Sequence, residues 1–224
     1  MDKNIILEAI KKARENSKKR KFSQSFDLIV NLKNINLKKA GDSVDTFLTL
    51  PFGRGKKIRV CALVDAQLAK QAKEICDKII LLEDFNKYQD KKILKELSRE
   101  FDFFIGQADL MSKIATTFGK VLGIAGKMPN PKAGCIVPGN ANLKLLYEKL
   151  QKTVRMQTKN EAIIKCIIGN ENMKDEDVAE NILFAYNSLL HSLPQEKNNL
   201  KEALLKSTMG KPIALEDKKW EKHT

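Results

Sequence analysis

The chain has 224 residues, 42% of them hydrophobic, with 41 Lys and Arg against 28 Asp and Glu for a formal net charge of +13. Length and composition allow one large core or two smaller ones and exclude a disordered tail, while apolar runs as short as Ile79–Leu82 exclude a transmembrane segment or a signal-peptide core and point to an intracellular protein. The charge is clustered: residues 1–22, 54–59 and 120–132 together hold 12 of the 13 excess positives, a distribution that favours a polyanionic partner over general solubility.

Apolar spacing predicts an amphipathic helix over 4–16, with Ile5, Ile6, Ala9, Ile10 and Ala13 on one face. The basic run Lys18-Lys19-Arg20-Lys21-Phe22 follows. Strict alternation of Phe26, Leu28, Val30 and Leu32 predicts a strand, and Gly41-Asp42 a turn into a second strand, Val44–Leu50. A Gly-Arg-Gly-Lys loop at 51–57 leads to a buried-type strand, Ile58–Val64. From there short strands alternate with helices: helix Ala66–Cys76, strand Lys78–Leu82, helix Lys91–Phe101, strand Asp102–Ile105, helix Leu110–Val121 and helix Leu143–Gln151. That alternation predicts βαβ crossovers and a parallel sheet. Thr153–Gln157 and Glu161–Ile168 then read as a hairpin around Thr-Lys-Asn, and Asp175–Leu190 as a helix with acids at its positive end. Leu200–Lys206 has helix-forming composition.

Four cysteines (Cys61, Cys76, Cys135, Cys166) lie far apart, and with only His191 and His223 they form no metal-ligand spacing. They read as reduced, mostly buried thiols, and no metal or other cofactor is expected. Gly53-Arg54-Gly55-Lys56-Lys57 fails the phosphate-loop pattern in spacing and in its missing hydroxyl; Gly126-Lys127-Met128 fails it as well. No nucleophile elbow and no His beside a nucleophile is present.

Leu122–Gly134 (Leu-Gly-Ile-Ala-Gly-Lys-Met-Pro-Asn-Pro-Lys-Ala-Gly) holds three glycines, two prolines and two lysines, and predicts a stiff, basic, non-helical loop. Lys206-Ser207-Thr208-Met209-Gly210-Lys211 offers hydroxyls suited to a ribose 2′-OH and a glycine that permits close backbone approach. Lys21-Phe22-Ser23-Gln24-Ser25 sets cations beside an aromatic, as phosphate contact and stacking require.

These segments resemble the signature motifs of the ribosomal protein L-one family, in its archaeal and eukaryotic form. The resemblance spans nearly the whole chain. It implies an α/β fold: an α+β domain with a split β-α-β sheet, made from about 1–64 and 153–224, and an inserted Rossmann-like three-layer domain, about 65–152. It also places a strand before the Thr-Met-Gly turn. Leu200–Lys206 is therefore assigned as a strand, since tertiary pairing overrides propensity in short segments. The resemblance implies a structural protein, not an enzyme, that binds large-subunit rRNA at the mobile stalk in the cytoplasm. Exit-site tRNA and the protein's own mRNA, in its leader or coding region, are further implied partners, with release of that tRNA and translational repression as the corresponding roles. No membrane is involved, and the protein is expected to be a monomer off the ribosome. The implied RNA-binding residues are Lys19, Arg20, Lys21, Phe22, Ser23, Gln24, Ser25, Lys206, Ser207, Thr208, Met209, Gly210 and Lys211. Arg54, Lys56, Lys127 and Lys132 are expected as secondary RNA or hinge contacts. In the bacterial pattern an acid lies near the position of Gln24. Two other classes remain open from the residues alone, a nucleotide-using enzyme on a Rossmann-like scaffold and a general basic RNA chaperone.

Overall fold

Alternation along Ser25–Leu32 (β1) buries Phe26, Leu28, Val30 and Leu32 and leaves the intervening side chains partly exposed. The computed structural model describes residues 2–37, 39, 43–88 and 90–215; the turn expected at Gly41-Asp42 lies outside the described residues, as does His223. The chain divides into two compact units, one built from residues up to Lys56 and from Lys152 onward, the other from Lys57–Gln151.

In the first unit, α1 (Lys3–Glu15), β1 and β2 (Asp45–Thr49) precede the insertion. β7 (Thr153–Gln157), β8 (Ile163–Asn170), α6 (Asp175–Ser192), β9 (Leu200–Ser207) and β10 (Ile213–Ala214) follow it. The main sheet has the order β10-β9-β1-β8, with β1 antiparallel to both neighbours. β8 and β9 therefore run parallel on either side of β1 and are joined through α6, a split β-α-β arrangement. Its core buries Ile6 and Ile10 of α1 and Val178, Ile182 and Ala185 of α6 against Leu28, Ile168 and Leu205 of the sheet. The helix-forming composition of Leu200–Lys206 is overridden because this segment pairs with β1 from Phe26↔Ser207 to Leu32↔Leu200.

The predicted hairpin is not formed. β7 pairs with β2 in a separate two-stranded sheet, Asp45↔Gln157 to Thr49↔Thr153, while β8 pairs with β1. Both strands exist as expected, but each finds a partner more than a hundred residues away, which a short polar turn does not reveal.

The second unit contains β3 (Val60–Val64), α2 (Ala66–Ile75), β4 (Lys78–Leu81), α3 (Lys91–Glu100), β5 (Phe103–Gln107), α4 (Met111–Ala125), β6 (Ile136–Val137) and α5, which starts at Leu143 and ends at Lys152. Its sheet is parallel, in the order β4-β3-β5-β6. Cys61 and Leu63 of β3 pack with Leu94, Leu97, Ile114, Phe118 and Leu122 of α3 and α4. All five residues of β3 are buried, the pattern of a parallel strand covered on both faces. The boundary expected after Val64 is therefore too late: β3 is an inner strand of the second unit, and the division falls at Lys56.

The loop expected over Leu122–Gly134 is also partly helical. α4 runs on to Ala125 and stops at Gly126 (φ +68°), whose N–H and that of Lys127 return to the carbonyls of Gly123 and Leu122. Beyond it Asn130 is extended, and its side chain accepts from the Lys132 N–H before Gly134 turns the chain at φ +74°.

Candidate nucleic-acid interface

The Thr208–Gly210 turn leaves β9 beside the start of β1. Thr208 N–H donates to the Ser25 carbonyl at 3.0 Å, and its Oγ1 accepts from Ser25 N–H at 3.0 Å and donates to the same carbonyl at 3.2 Å. Gly210 N–H closes the turn on Ser207 O at 2.9 Å. Met209 stands at the tip with 60% of its surface exposed.

Behind the turn lies Gln24, 2% exposed. Its Nε2 donates to Ser17 Oγ at 2.9 Å and to the Lys18 carbonyl at 3.1 Å. Its Oε1 accepts from Ser207 Oγ at 3.1 Å and from Met209 N–H at 3.3 Å. All four capacities of the amide are used, so Gln24 ties the end of α1, the start of β1 and the turn after β9 into one piece. The sequence reading made Gln24 and Ser207 direct RNA contacts. Both are buried and hold the surface residues in place.

Around this hub the surface is cationic. Lys18, Lys19, Arg20 and Lys21 are exposed, and no described residue pairs with their side chains. Phe22 is 50% exposed and so is not a core anchor. Ser23 Oγ donates to Asn170 Oδ1 at 2.6 Å, which draws the loop after β8 into the same surface. Lys211 is exposed and Lys206 half-buried at the neighbouring strand end. Lys206 faces Asp27 across the strand pair, and although its charge pulls the Asp27 carboxyl down, partial burial prevails and raises it above the ordinary value.

Several positioning residues escaped sequence reasoning. Arg14 donates from Nε to Asp175 at 2.8 Å, from Nη1 to Glu171 O at 2.5 Å and from Nη2 to Met173 O at 2.7 Å, with its guanidinium over the Phe26 ring. It fixes the 171–173 loop against α1. Asn181, fully buried, donates to Gly53 O and Ile168 O at 2.8 Å each and accepts from Phe52 N–H at 3.2 Å. It thereby holds the loop that carries Arg54 and Lys56 beside the end of β8. A polar residue on the apolar stripe of α6 was the available signal for Asn181; for Arg14, a cation at the end of an amphipathic helix gave none.

The remaining candidates lie in the second unit. Lys127 Nζ donates to Ser98 O and Phe101 O at 2.8 Å each, so its ammonium caps the carboxyl end of α3. This engagement makes it a brace of its own unit and not a spare cation. Lys57 pairs with Asp77 at 2.9 Å and Arg59 with Glu100 at 3.2 Å, which also uses charge from the 54–59 cluster internally. Cys61, Cys135 and Cys166 are buried, and burial pushes the thiols of Cys61 and Cys166 up to about 12. Among the described residues no group of His, Cys, Asp or Glu converges as a metal site, and no helix is long and apolar enough to cross a membrane.

Known proteins share this pattern over almost the full length. The family model described as "Ribosomal protein L1p/L10e family" matches residues 11–211. A relative from Methanothermococcus thermolithotrophicus, named large ribosomal subunit protein uL1, is 40% identical over 217 residues, covering 96% of this chain and 100% of its own. Proteins of the same name from Nanoarchaeum equitans (42% identical; 93% of this chain and 98% of the relative) and Pyrococcus abyssi (35% identical; 95% of each) agree. Each of these relatives is named as a protein of the large ribosomal subunit and none by a nucleotide-using activity. With its split sheet, its inserted parallel sheet and this coverage, the chain belongs to the ribosomal protein L1p/L10e family.

Proposed function

We propose that this protein is a structural component of the large ribosomal subunit in the cytoplasm, and that its first unit binds large-subunit rRNA at the mobile stalk. The observation that carries the reading is the Gln24 hub, which presents Thr208, Met209 and Gly210 next to the exposed cations Lys18–Lys21 and the exposed Phe22. In this reading the cations hold phosphates and set orientation, while the turn reads ribose and shape. Phe22 and Met209 supply apolar surface for a base or sugar to pack on. The same surface would serve the protein's own mRNA during repression, off the ribosome, whereas exit-site tRNA, released while the surface holds the stalk, would be met by another part of the protein.

The test is binding to a minimal stalk rRNA fragment over a series of salt concentrations, beside a scrambled fragment and bulk tRNA. A large, retained preference for the stalk fragment is expected. Equal binding to all three would leave only a general basic RNA chaperone. Thr208→Val is expected to lose about 1–3 kcal/mol of binding, the scale of a buried hydrogen bond, with Thr208→Ser recovering most of it. Lys→Ala changes at 18–21 act differently, lowering the salt slope by about one unit for each phosphate no longer neutralised. Wild-type affinity in Thr208→Val would remove the turn from the site.

A further inference from the structure

The hydroxyl protons of this surface can be placed by elimination. Two backbone groups of opposite kind orient the Gln24 amide: Lys18 C=O can only accept and Met209 N–H can only donate. Gln24 Nε2 therefore donates to Ser17 Oγ, and Ser207 Oγ spends its one proton on Gln24 Oε1. The 3.2 Å approach of Ser17 Oγ to Ser207 Oγ is then left with a single direction, Ser17 donating. The three side chains form a closed ring in which every donor is consumed. Each serine oxygen keeps one lone pair and nothing to give.

A cleft of about 130 Å³ opens over this ring, lined also by Lys18, Lys19, Arg14 and Glu171, whose backbone carbonyl accepts from Arg14. Pockets that enclose whole drug-sized ligands run from about 300 Å³ upward, so this one has room for a sugar or less. Its chemistry asks for a group that donates a hydrogen bond and lies within reach of an anion. A ribose 2′-hydroxyl beside its own 3′-phosphate meets both conditions, and deoxyribose does not.

We propose that the cleft over Ser17, Gln24 and Ser207 is a ribose subsite, in which a 2′-hydroxyl donates to the free lone pair of Ser17 Oγ while Lys18 and Lys19 hold the adjoining phosphate. It rests on the RNA-binding reading above and is separate from the Thr208 turn. It distinguishes RNA from DNA by accepting a hydrogen bond, never by donating one.

The experiment replaces riboses of the stalk rRNA fragment one at a time with 2′-deoxyribose and measures binding to the wild type, Ser17→Ala and Thr208→Val. At one position the deoxy change is expected to weaken the wild type about tenfold, the scale of one buried hydrogen bond, and to have little further effect on Ser17→Ala. Thr208→Val keeps the full penalty at that position. A 2′-fluoro group there, which cannot donate, is expected to bind as poorly as deoxyribose. Ser17→Cys, close to serine in size but a weak acceptor, is expected to reproduce Ser17→Ala, and thermal unfolding checks that each variant is folded. If Ser17→Ala weakens every fragment by the same factor, or if no position depends on Ser17, the subsite is wrong. If the wild type does not prefer the stalk fragment to scrambled RNA, the RNA-binding reading falls and the subsite with it.

Discussion

Gly55 shows how one residue positions a surface without touching a ligand. Its φ of +68° suits glycine, and a Cβ built there would lie 2.7 Å from Met173 Sδ and 2.8 Å from Asn170 Cβ. Gly55→Ala is therefore expected to destabilise the protein by about 1–3 kcal/mol in denaturant unfolding, and to disturb the 170–173 loop that Ser23 binds. Asp27 carries a pH signature. Its carboxyl is raised by burial despite Lys206, so the folded state holds a proton that the unfolded chain has already released. Below the ordinary carboxylate pKa, about 3.9, both states are protonated; as pH climbs through the window above it, the stability that this group contributes is lost. Asp27→Asn is expected to flatten that fall, and at neutral pH to be at least as stable as the wild type. At this scale the sequence was informative about which residues cluster but not about their depth. The run Lys21–Ser25 was read as RNA contacts throughout, yet Gln24 lies inside, on the side that β1 buries as its alternation begins at the next residue.

Elements with strong periodicity were legible. β1, α1, α6 and the alternating strands and helices of the second unit all lie close to their expected ranges, because each carries its apolar face in its own spacing. Pairing was not legible, because it is a property of two segments. β7 and β8 are separated by a short polar turn, the same local pattern as a hairpin, yet their partners are β2 and β1. α4 outran its expected end for a related reason. Glycine and proline at Gly123–Pro131 suggested a break, but Gly126 closes the helix through a left-handed cap that lies several residues later. Lys127 then caps α3. Lys127→Ala is expected to lower the stability of the second unit by about 1–3 kcal/mol, measurable as faster amide exchange near Ser98–Phe101, because two bonds from a charged donor disappear.

The whole molecule is a discontinuous unit interrupted by a continuous one. Where the interruption begins and ends, Leu50 N–H donates to Lys152 O at 2.9 Å, so the two chain segments of the first unit are already adjacent. Replacing residues 57–151 by a short Gly-Ser linker is expected to leave the first unit folded, with its affinity for the stalk fragment within a few-fold of the intact protein's. Circular dichroism and the binding assay above check this; unfolding of the linked unit would show that the insertion is needed for its stability. The expected boundary at Val64 missed this junction because a fully apolar strand looks alike at the end of one unit and in the middle of another.

The hub around Gln24 also has a consequence in time. Ser17, Lys18 and Gln24 are made at the start of translation, whereas Ser207 and Met209 are added almost two hundred residues later. A nascent chain that has reached only Asn199 possesses the basic run Lys18–Lys21 but no strand on one side of β1 and no turn for Gln24 to hold. On the proposed reading, unfinished chains would attract RNA by charge but would not select it. A site assembled from both ends of the sequence would make discrimination a property of the completed protein, so fragments released early would not compete with it for the cognate RNA.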